Sequence, residues 1–578
     1  MLKNLWKYTE KTDKYKVVLY MIFHAVAMLG QLSQPIAFGM MINVLQRNDE
    51  NMLRDVIKWL IFYIIGFAVF EIFHRTARFM ERYSAFRTRK KFVTETYDHL
   101  NRLPLEWHSN NHSGDIIDRL NLAANSLHEF GESQYMFISV IMNVWVPMVV
   151  LWNLSPVITI TAVIVGIILV IVTKAIYKKT VPEYDASNKE FHKVAVVLYD
   201  FIGNITSIIV LRLGKLAKRE LIRRIDDVFP HIQREHRLTQ VKCFINALLM
   251  ILLNIGLILY YIIISTESGS AVALGSITIL FSYLGSLMST FDFYAGDFEK
   301  VIHWKADFEA IKEILNAVSF TRRNTENELV EWNDLQININ KFTYNEGEFI
   351  LRDISVHLEK GRKIAFVGES GAGKSTVLKL LRGIFEVDEQ SVIKDGNQKL
   401  SIYDLESTTV LIPQEPEIFE NTISYNITMG IEVDDSLIRK AIETACFNTV
   451  VERLPNKLES SIKEKGINLS GGEKQRLALA RGVFSIGDSS LILFDEPTGS
   501  LDPITEMTIF KNVFEKFSDK CIVAALHRLH MVKQFDYIYV FKNGKIVEEG
   551  DFNELLDIQG YFKTMWDIYL NEKEIEIC

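Results

Sequence analysis

Only four cysteines occur in 578 residues, and no two of them form a CxxC pair. Cys243, Cys446, Cys521 and Cys578 are scattered, which excludes a disulfide framework and fits a reduced, cytosol-facing location for most of the chain. A positive excess is also missing. The net charge is −8, so no nucleic-acid partner is expected. The chain does not open on a secretory leader either. Residues 1–16 interleave Leu2, Leu5 and Trp6 with Lys3, Lys7, Lys11 and Lys14, which is too charged for an apolar leader core. They read as a short amphipathic helix on the cytoplasmic membrane surface.

What the chain does have is apolar length, confined to its first half. Six stretches, 17–45, 56–73, 135–152, 157–176, 244–264 and 272–293, approach the roughly 20 residues that a spanning helix needs. The third and fourth are separated only by a turn at 153–156. Lysine and arginine crowd the connection after the second run (Arg75 to Lys91) and the one after the fourth (Lys174 to Arg224). The turn at 153–156 and the stretch 265–271 contain neither residue. The positive-inside rule therefore places both long connections, the N-terminus and everything after 293 in the cytoplasm. Both connections are rich in helix formers and are expected to carry the spans about 30 Å beyond the bilayer, at 1.5 Å per residue. Turning points are expected near 112–120, around His112-Ser113-Gly114-Asp115, and near 200–207, around Gly203-Asn204.

Polar residues within the spans are candidates for a transport path. Asp292 lies near the cytoplasmic end of the sixth run and is followed by Asp297 and Glu299; there the helix has either left the bilayer or faces such a path. His24, Gln31 and Gln34 in the first run line a cavity or bond a neighbouring helix. His108 and His112 have metal-pair spacing, but no third ligand lies nearby in sequence.

The second half alternates strand-like and helix-like patches. A strand-like run at 363–367 leads into Gly368-Glu369-Ser370-Gly371-Ala372-Gly373-Lys374-Ser375-Thr376, a phosphate-binding loop in the required context. Its glycines let backbone amides close around phosphates at the positive end of the next helix. Lys374 would reach the terminal phosphates and Ser375 would bind Mg²⁺. Further on, Leu491-Ile492-Leu493-Phe494-Asp495-Glu496 is an apolar strand ending in two acids. Asp495 suits a Mg²⁺-holding role, and Glu496 suits that of a general base for the attacking water.

Leu469-Ser470-Gly471-Gly472-Glu473-Lys474-Gln475-Arg476 resembles the signature sequence of the ATP-binding cassette family, at a similar spacing before Asp495. Other elements of that family follow in order over residues 335–570. Tyr344 resembles the aromatic that stacks on adenine, and Gln414 the glutamine that senses Mg²⁺ and the membrane domain. Ser500-Leu501-Asp502 resembles the loop that links the two ATP sites, and His527 the histidine that contacts the γ-phosphate. Two departures stand out. Glu473 replaces the commoner glutamine, with little loss expected because either side chain accepts hydrogen bonds. In the segment 460–466, Ser461 stands where an acid is usual, so charge pairing with the membrane-domain tips is expected through Glu464.

The resemblance implies an exporter-type half-transporter. Its fold is a six-span α-helical transmembrane domain (1–305), a linker (306–334) and an α/β P-loop NTPase domain (335–578). It also implies ATP and Mg²⁺ as cofactors. Expected catalytic residues are Glu496, His527 and Gln414, and expected Mg²⁺ ligands are Ser375, Gln414 and Asp495. ATP contacts are expected from Tyr344, from each residue of the loop Gly368, Glu369, Ser370, Gly371, Ala372, Gly373, Lys374, Ser375 and Thr376, and from Ser470, Gly471, Gly472, Glu473 and Asp502. ATP in this family lies between the phosphate loop of one chain and the signature of another, so a dimer is implied. Retention of Glu496, His527 and the signature favours two identical chains. The expectation is ATP-driven export across a bacterial inner or plasma membrane, with import or an ATP-gated channel as alternatives on the same parts. The aromatic and aliphatic spans point to an amphipathic or hydrophobic cargo: lipid, drug-like molecule or peptide. No peptidase-like segment precedes the first run, so a cargo-trimming peptide exporter is not expected.

Overall fold

The computed structural model describes the chain except residues 48, 268–271, 319–330, 345–350, 386–391, 397, 401, 416, 464–468 and 578. The side chains of 288–289, 291–299, 392, 402–403 and 572–577 are also left undescribed, so Glu464 and the side chains of Asp292, Asp297 and Glu299 lie outside the described residues. The chain divides into two compact units, Met1–Phe320 and Thr321–Cys578.

The first unit is entirely helical among its described residues. In order it contains α1 (Leu2–Tyr8), α2 (Lys14–Arg47), α3 (Met52–Asn101), α4 (Leu105–Asn110), α5 (Ser113–Glu132) and α6 (Gln134–Leu154). It continues with α7 (Pro156–Gly203), α8 (Ile205–Val210), α9 (Gly214–Glu267), α10 (Leu274–Ala310) and α11 (Lys312–Asn316). Five helical segments, α2, α3, α5 with α6, α7 and α9, are long and apolar enough to cross a membrane; α10 adds the shorter apolar stretch Leu274–Leu287. Their outer faces carry exposed Ile64, Ile65, Phe67, Ile164, Ile171 and Ile251, a pattern that water would penalise and hydrocarbon accepts. The 50 residues of α3 extend about 75 Å at 1.5 Å per residue, far beyond a bilayer core.

Small residues let these helices approach closely. A Cβ on Gly30 would lie 2.7 Å from the Gly66 carbonyl oxygen, so α2 and α3 meet backbone to backbone there. Beyond the apolar stretches, Tyr8 meets Phe92 edge-on with ring centroids 4.9 Å apart, in a cluster with Leu127, Phe130, Trp304 and Phe308. Thus α1 buries Leu5 and Tyr8 while Leu2 and Trp6 stay exposed. Asp13, buried beyond its end, accepts bonds of 3.1 and 3.0 Å from Arg87 Nη1 on α3.

The first turning point falls earlier than 112–120. The short helix is α4, opened by Pro104, whereas Ser113-Gly114-Asp115 begins the returning α5. A Ser/Gly/Asp triplet starts helices as readily as it breaks them, and proline marks a helix start. At the second, α7 ends at Gly203 and α8 begins at Ile205. His24 is buried, 3.4 Å from Glu81, which also accepts 2.5 Å from Arg78 Nη1 and 2.8 Å from the Tyr135 amide. The His24 ring packs on His74 of α3 and Tyr135 of α6, while Gln31 is exposed and Gln34 half-buried. His108 Nε2 pairs with the Leu100 carbonyl and His112 packs beside Tyr199, so the two imidazoles have separate partners.

The second unit is α/β. Its strands are β1 (Asp334–Phe342), β2 (Leu351–Glu359), β3 (Lys363–Gly368), β4 (Val392–Asp395), β5 (Gln398–Leu400) and β6 (Thr409–Ile412), then β7 (Leu491–Asp495), β8 (Cys521–Ala525), β9 (Tyr537–Lys542) and β10 (Lys545–Gly550). Its helices are α12 (Lys374–Leu381), α13 (Ile423–Thr428), α14 (Asp435–Thr444), α15 (Asn448–Arg453), α16 (Gly471–Ser485), α17 (Pro503–Lys516), α18 (Phe552–Asp557) and α19 (Tyr561–Ile577). A four-stranded sheet runs β2-β1-β4-β5, and a six-stranded sheet runs β10-β9-β3-β8-β7-β6. In the larger sheet β6, β7, β8, β3 and β9 are parallel, and β10 joins antiparallel. β3, β7 and β8 are continuous apolar runs, as strands buried on both faces require. Parallel strands put their carboxyl ends on one edge, where α/β sheets place ligand sites.

Candidate functional site

Gly368, Ile412, Asp495, Ala525 and Lys542 end the five parallel strands, so the loops after them converge. They surround a cavity of about 980 Å³ lined by Tyr344, 370–376, Gln414, Glu415, Gln475, Glu496, 498–500, Glu506, 525–528, Asn543 and Gly544. Pockets of roughly 300–1,000 Å³ hold nucleotide-sized ligands.

The loop leaving β3 needs glycine at its first position. Gly368 has φ +146°, and a Cβ there would lie 2.2 Å from the Phe541 carbonyl oxygen on β9. The loop then opens α12, aiming that helix's free amides into the cavity. Lys374 is buried, with Nζ donating 2.7 Å to the Gly368 carbonyl and 3.1 Å to that of Glu369. Burial lowers its ammonium below the ordinary lysine value, while Glu496 and Asp495 oppose that shift.

Ser375 Oγ donates 2.6 Å to Oδ1 of the buried Asp495. A hydroxyl and a carboxylate meeting at the loop form a hard-oxygen pair that suits Mg²⁺. The next residue, Glu496, has φ +46°, an uncommon conformation for a side chain of its size. Gln414 Nε2 donates 3.2 Å to Glu496 Oε2, which joins the loop after β6 to the loop after β7. His527 lines the same cavity from the end of β8. Tyr344, after β1, packs on Phe342 and Phe385, with its hydroxyl 3.0 Å from Thr376 Oγ1.

Other predicted residues sit elsewhere. Ser470, Gly471, Gly472 and Glu473 do not line this cavity. Ser470 caps α16 in a capping box: its Oγ accepts 3.3 Å from the Glu473 amide, and its own amide donates 2.8 Å to Glu473 Oε2. Arg453 Nη2 adds a 2.6 Å bond to Glu473 Oε1. Burial pushes the Glu473 carboxyl up, but the Ser470 amide and Arg453 outweigh it and hold it below the ordinary range. Asp502 caps α17 through the Thr505 amide at 2.9 Å. Gly368 and Glu369 also lie outside the lining.

Sequence reasoning assigned no role to several residues that shape the site. Gln475 Oε1 accepts 2.8 Å from the Ser500 amide, which ties the signature helix to the loop 499–502. Arg528 Nη1 donates to the Leu501 carbonyl and to Glu506, and Glu506 accepts 2.6 Å from Thr498 Oγ1. Gln475 lies inside the signature and Arg528 directly follows His527, so sequence position alone points to both. The Thr498–Glu506 pair had no sequence signal.

The model of the ABC transporter transmembrane region matches residues 17–291, and the ABC transporter model matches residues 351–499. ABC transporter B family member 6 of Dictyostelium discoideum is 25% identical, over 98% of this chain and 86% of the relative. The mitochondrial iron-sulfur clusters transporter atm1 of Aspergillus fumigatus is 35% identical over 39% of this chain and 32% of its own length, so that match spans well under two thirds of the relative. A solved structure of a bacterial Atm1-family ABC exporter with ATP bound superposes with a TM-score of 0.83 at 20% identity, covering 96% of this chain and 98% of that one. That likeness concerns the fold. Both family models occur on one polypeptide, in the order that the helical and α/β units require. The chain belongs to the ATP-binding cassette transporters, as an exporter-type half-transporter with its membrane domain fused to an ATP-hydrolysing cassette.

Proposed function

We propose that two identical copies of this chain export an amphipathic or hydrophobic molecule by alternating access, driven by ATP hydrolysis at two composite sites. The observation that carries the reading is the division within one cassette. The phosphate loop, Asp495, Glu496, Gln414 and His527 gather around one cavity or its rim, whereas Ser470 and Gly472 sit outside it. A signature loop held rigid by its own capping box, yet absent from its own cavity, fits completion of a neighbour's site. Retention of Glu496, His527 and the signature supports equal copies.

In this reading Lys374 and the amides of 370–376 bind the phosphates and Tyr344 holds the adenine. Ser375 and Asp495, with Gln414, hold Mg²⁺, which neutralises phosphate charge when bound. Glu496 takes a proton from the attacking water, and His527 contacts the γ-phosphate. ATP drives the cycle only by binding the closed dimer more tightly than the open one. The tips around α4 and α8 are the proposed couplers. We place the protein in a bacterial inner or plasma membrane with its cassette in the cytoplasm, because of the lysine and arginine distribution. The apolar, aromatic spans support an amphipathic cargo.

Transport in inside-out vesicles tests the reading. ATP-dependent accumulation of cargo supports export, and ATP-dependent dissipation of a preset gradient would replace it with a channel. Cargo candidates come from ATPase stimulation across lipids, peptides and drug-like molecules in nanodiscs.

A further inference from the structure

The phosphate loop has one acidic side chain, Glu369, and it does not line the cavity. Its Oε1 instead accepts a 2.5 Å hydrogen bond from Tyr561 Oη, the first residue of α19 and 192 positions away in sequence. Tyr561 is firmly held. Its amide and that of Phe562 both donate to the Glu548 carboxylate on β10, the second at 2.8 Å. Phe562 is fully buried and Trp566 nearly so in the main core of the cassette, which anchors the start of α19. Lys542, at the end of β9, places Nζ 4.0 Å from the Tyr561 ring centroid. β9 pairs with β3, setting Phe541 beside Gly368. The contact thus closes a circuit from the phosphate loop through β3, β9, β10 and α19 back to the loop. Burial and the Glu369 carboxylate push the phenol up to about 12, so the hydroxyl remains a donor throughout the physiological range.

We propose that Tyr561 is a positioning residue for ATP binding: its hydroxyl keeps the Glu369 carboxylate on the outer side of the phosphate loop, away from the triphosphate. This rests on reading 368–376 as the phosphate loop. Nucleotide affinity there comes from backbone amides and Lys374 acting on a highly charged anion. A carboxylate free to rotate on the same loop opposes that field. A charge-assisted bond to an immobilised phenol removes the inward rotamers. A core-anchored helix thereby sets the electrostatics of a loop distant in sequence.

The test uses the full chain in nanodiscs, with MgATP affinity read by displacement of a fluorescent ATP analogue and KM and kcat measured in parallel. Tyr561→Phe keeps the ring and its packing. It is expected to weaken MgATP by about two- to fivefold, the size of one partly screened charge interaction. kcat is expected to hold, and the loss to shrink at high salt. In a Glu369→Gln background the same substitution is expected to change nothing. Unchanged affinity in Tyr561→Phe overturns the proposal. So does an equal loss in both backgrounds, which would trace the effect to α19 packing. Lys374→Ala separates the underlying reading: MgATP affinity retained in that variant overturns the phosphate-loop assignment whatever Tyr561 does.

Discussion

Arg528 Nη1 donates a 2.7 Å hydrogen bond to the carbonyl oxygen of Leu501, joining the segment beside His527 to the loop expected to face a second cassette. The same guanidinium reaches Glu506 at 3.2 Å and the Gly499 carbonyl at 3.2 Å. Glu506 is buried, so removing Arg528 strands a carboxylate with Thr498 and His530 as its remaining partners. Arg528→Ala is expected to cost about 1–3 kcal/mol of cassette stability, toward the lower end because the guanidinium is partly exposed. Hydrolysis should fall more than nucleotide binding. Melting curves with phosphate release at saturating ATP check this, and unimpaired hydrolysis would refute a positioning role for the pair.

Glu496 is the proposed general base, and Gln414 already bonds its carboxylate. Glu496→Gln keeps the shape and removes the base. Hydrolysis is expected to fall at least about a hundredfold, the lower range for a positioned base. Nucleotide should remain bound in a closed dimer. Normal phosphate release by this variant would sink the assignment.

The glutamate at the end of the signature can be tested by two substitutions. Glu473→Gln keeps an acceptor for the Ser470 amide and gives up the ion pair to Arg453, itself well exposed. It is expected to leave ATPase activity within about twofold, as a surface pair is worth at most about 1 kcal/mol. Glu473→Ala removes the reciprocal cap and is expected to cost about 1 kcal/mol and to lower activity further. Because the folded Glu473 carboxyl lies below its ordinary range, its stabilising contribution is full above that range and is lost as pH falls through the folded value. Equal activity in the two variants would show that the cap is irrelevant to the signature.

His303 lies beyond the last apolar run, its ring stacked on Tyr184 with centroids 3.3 Å apart, and burial pushes it down to about 4. Between that value and the ordinary 6.5, an unfolded histidine binds a proton that the folded one refuses. Stability therefore falls as pH drops through this window. His303→Phe keeps an aromatic face and does not titrate. The wild type is expected to lose melting temperature relative to this variant from about pH 6.5 downward. Parallel curves over the window would refute the buried neutral state.

The parts legible in the sequence are those whose physics is local. A bilayer demands uninterrupted apolar length, so the spans appear as runs. A phosphate cradle is built from consecutive amides, so 368–376 carries its own signature, and Asp495 and Glu496 announce themselves at the end of an apolar strand. The first turning point is not legible because Ser113-Gly114-Asp115 has the chemistry of both a break and a helix start, and only packing chooses between them. Tertiary structure alone decided which side chains meet. Parallel strand order brought the loops after residues 368, 412, 495 and 525 to one edge. Close helix approach set His24 against Glu81, and the docking of α19 turned Glu369 toward Tyr561. Those contacts join residues tens to hundreds of positions apart. Their geometry depends on strand register and core packing, which no local pattern of residues encodes.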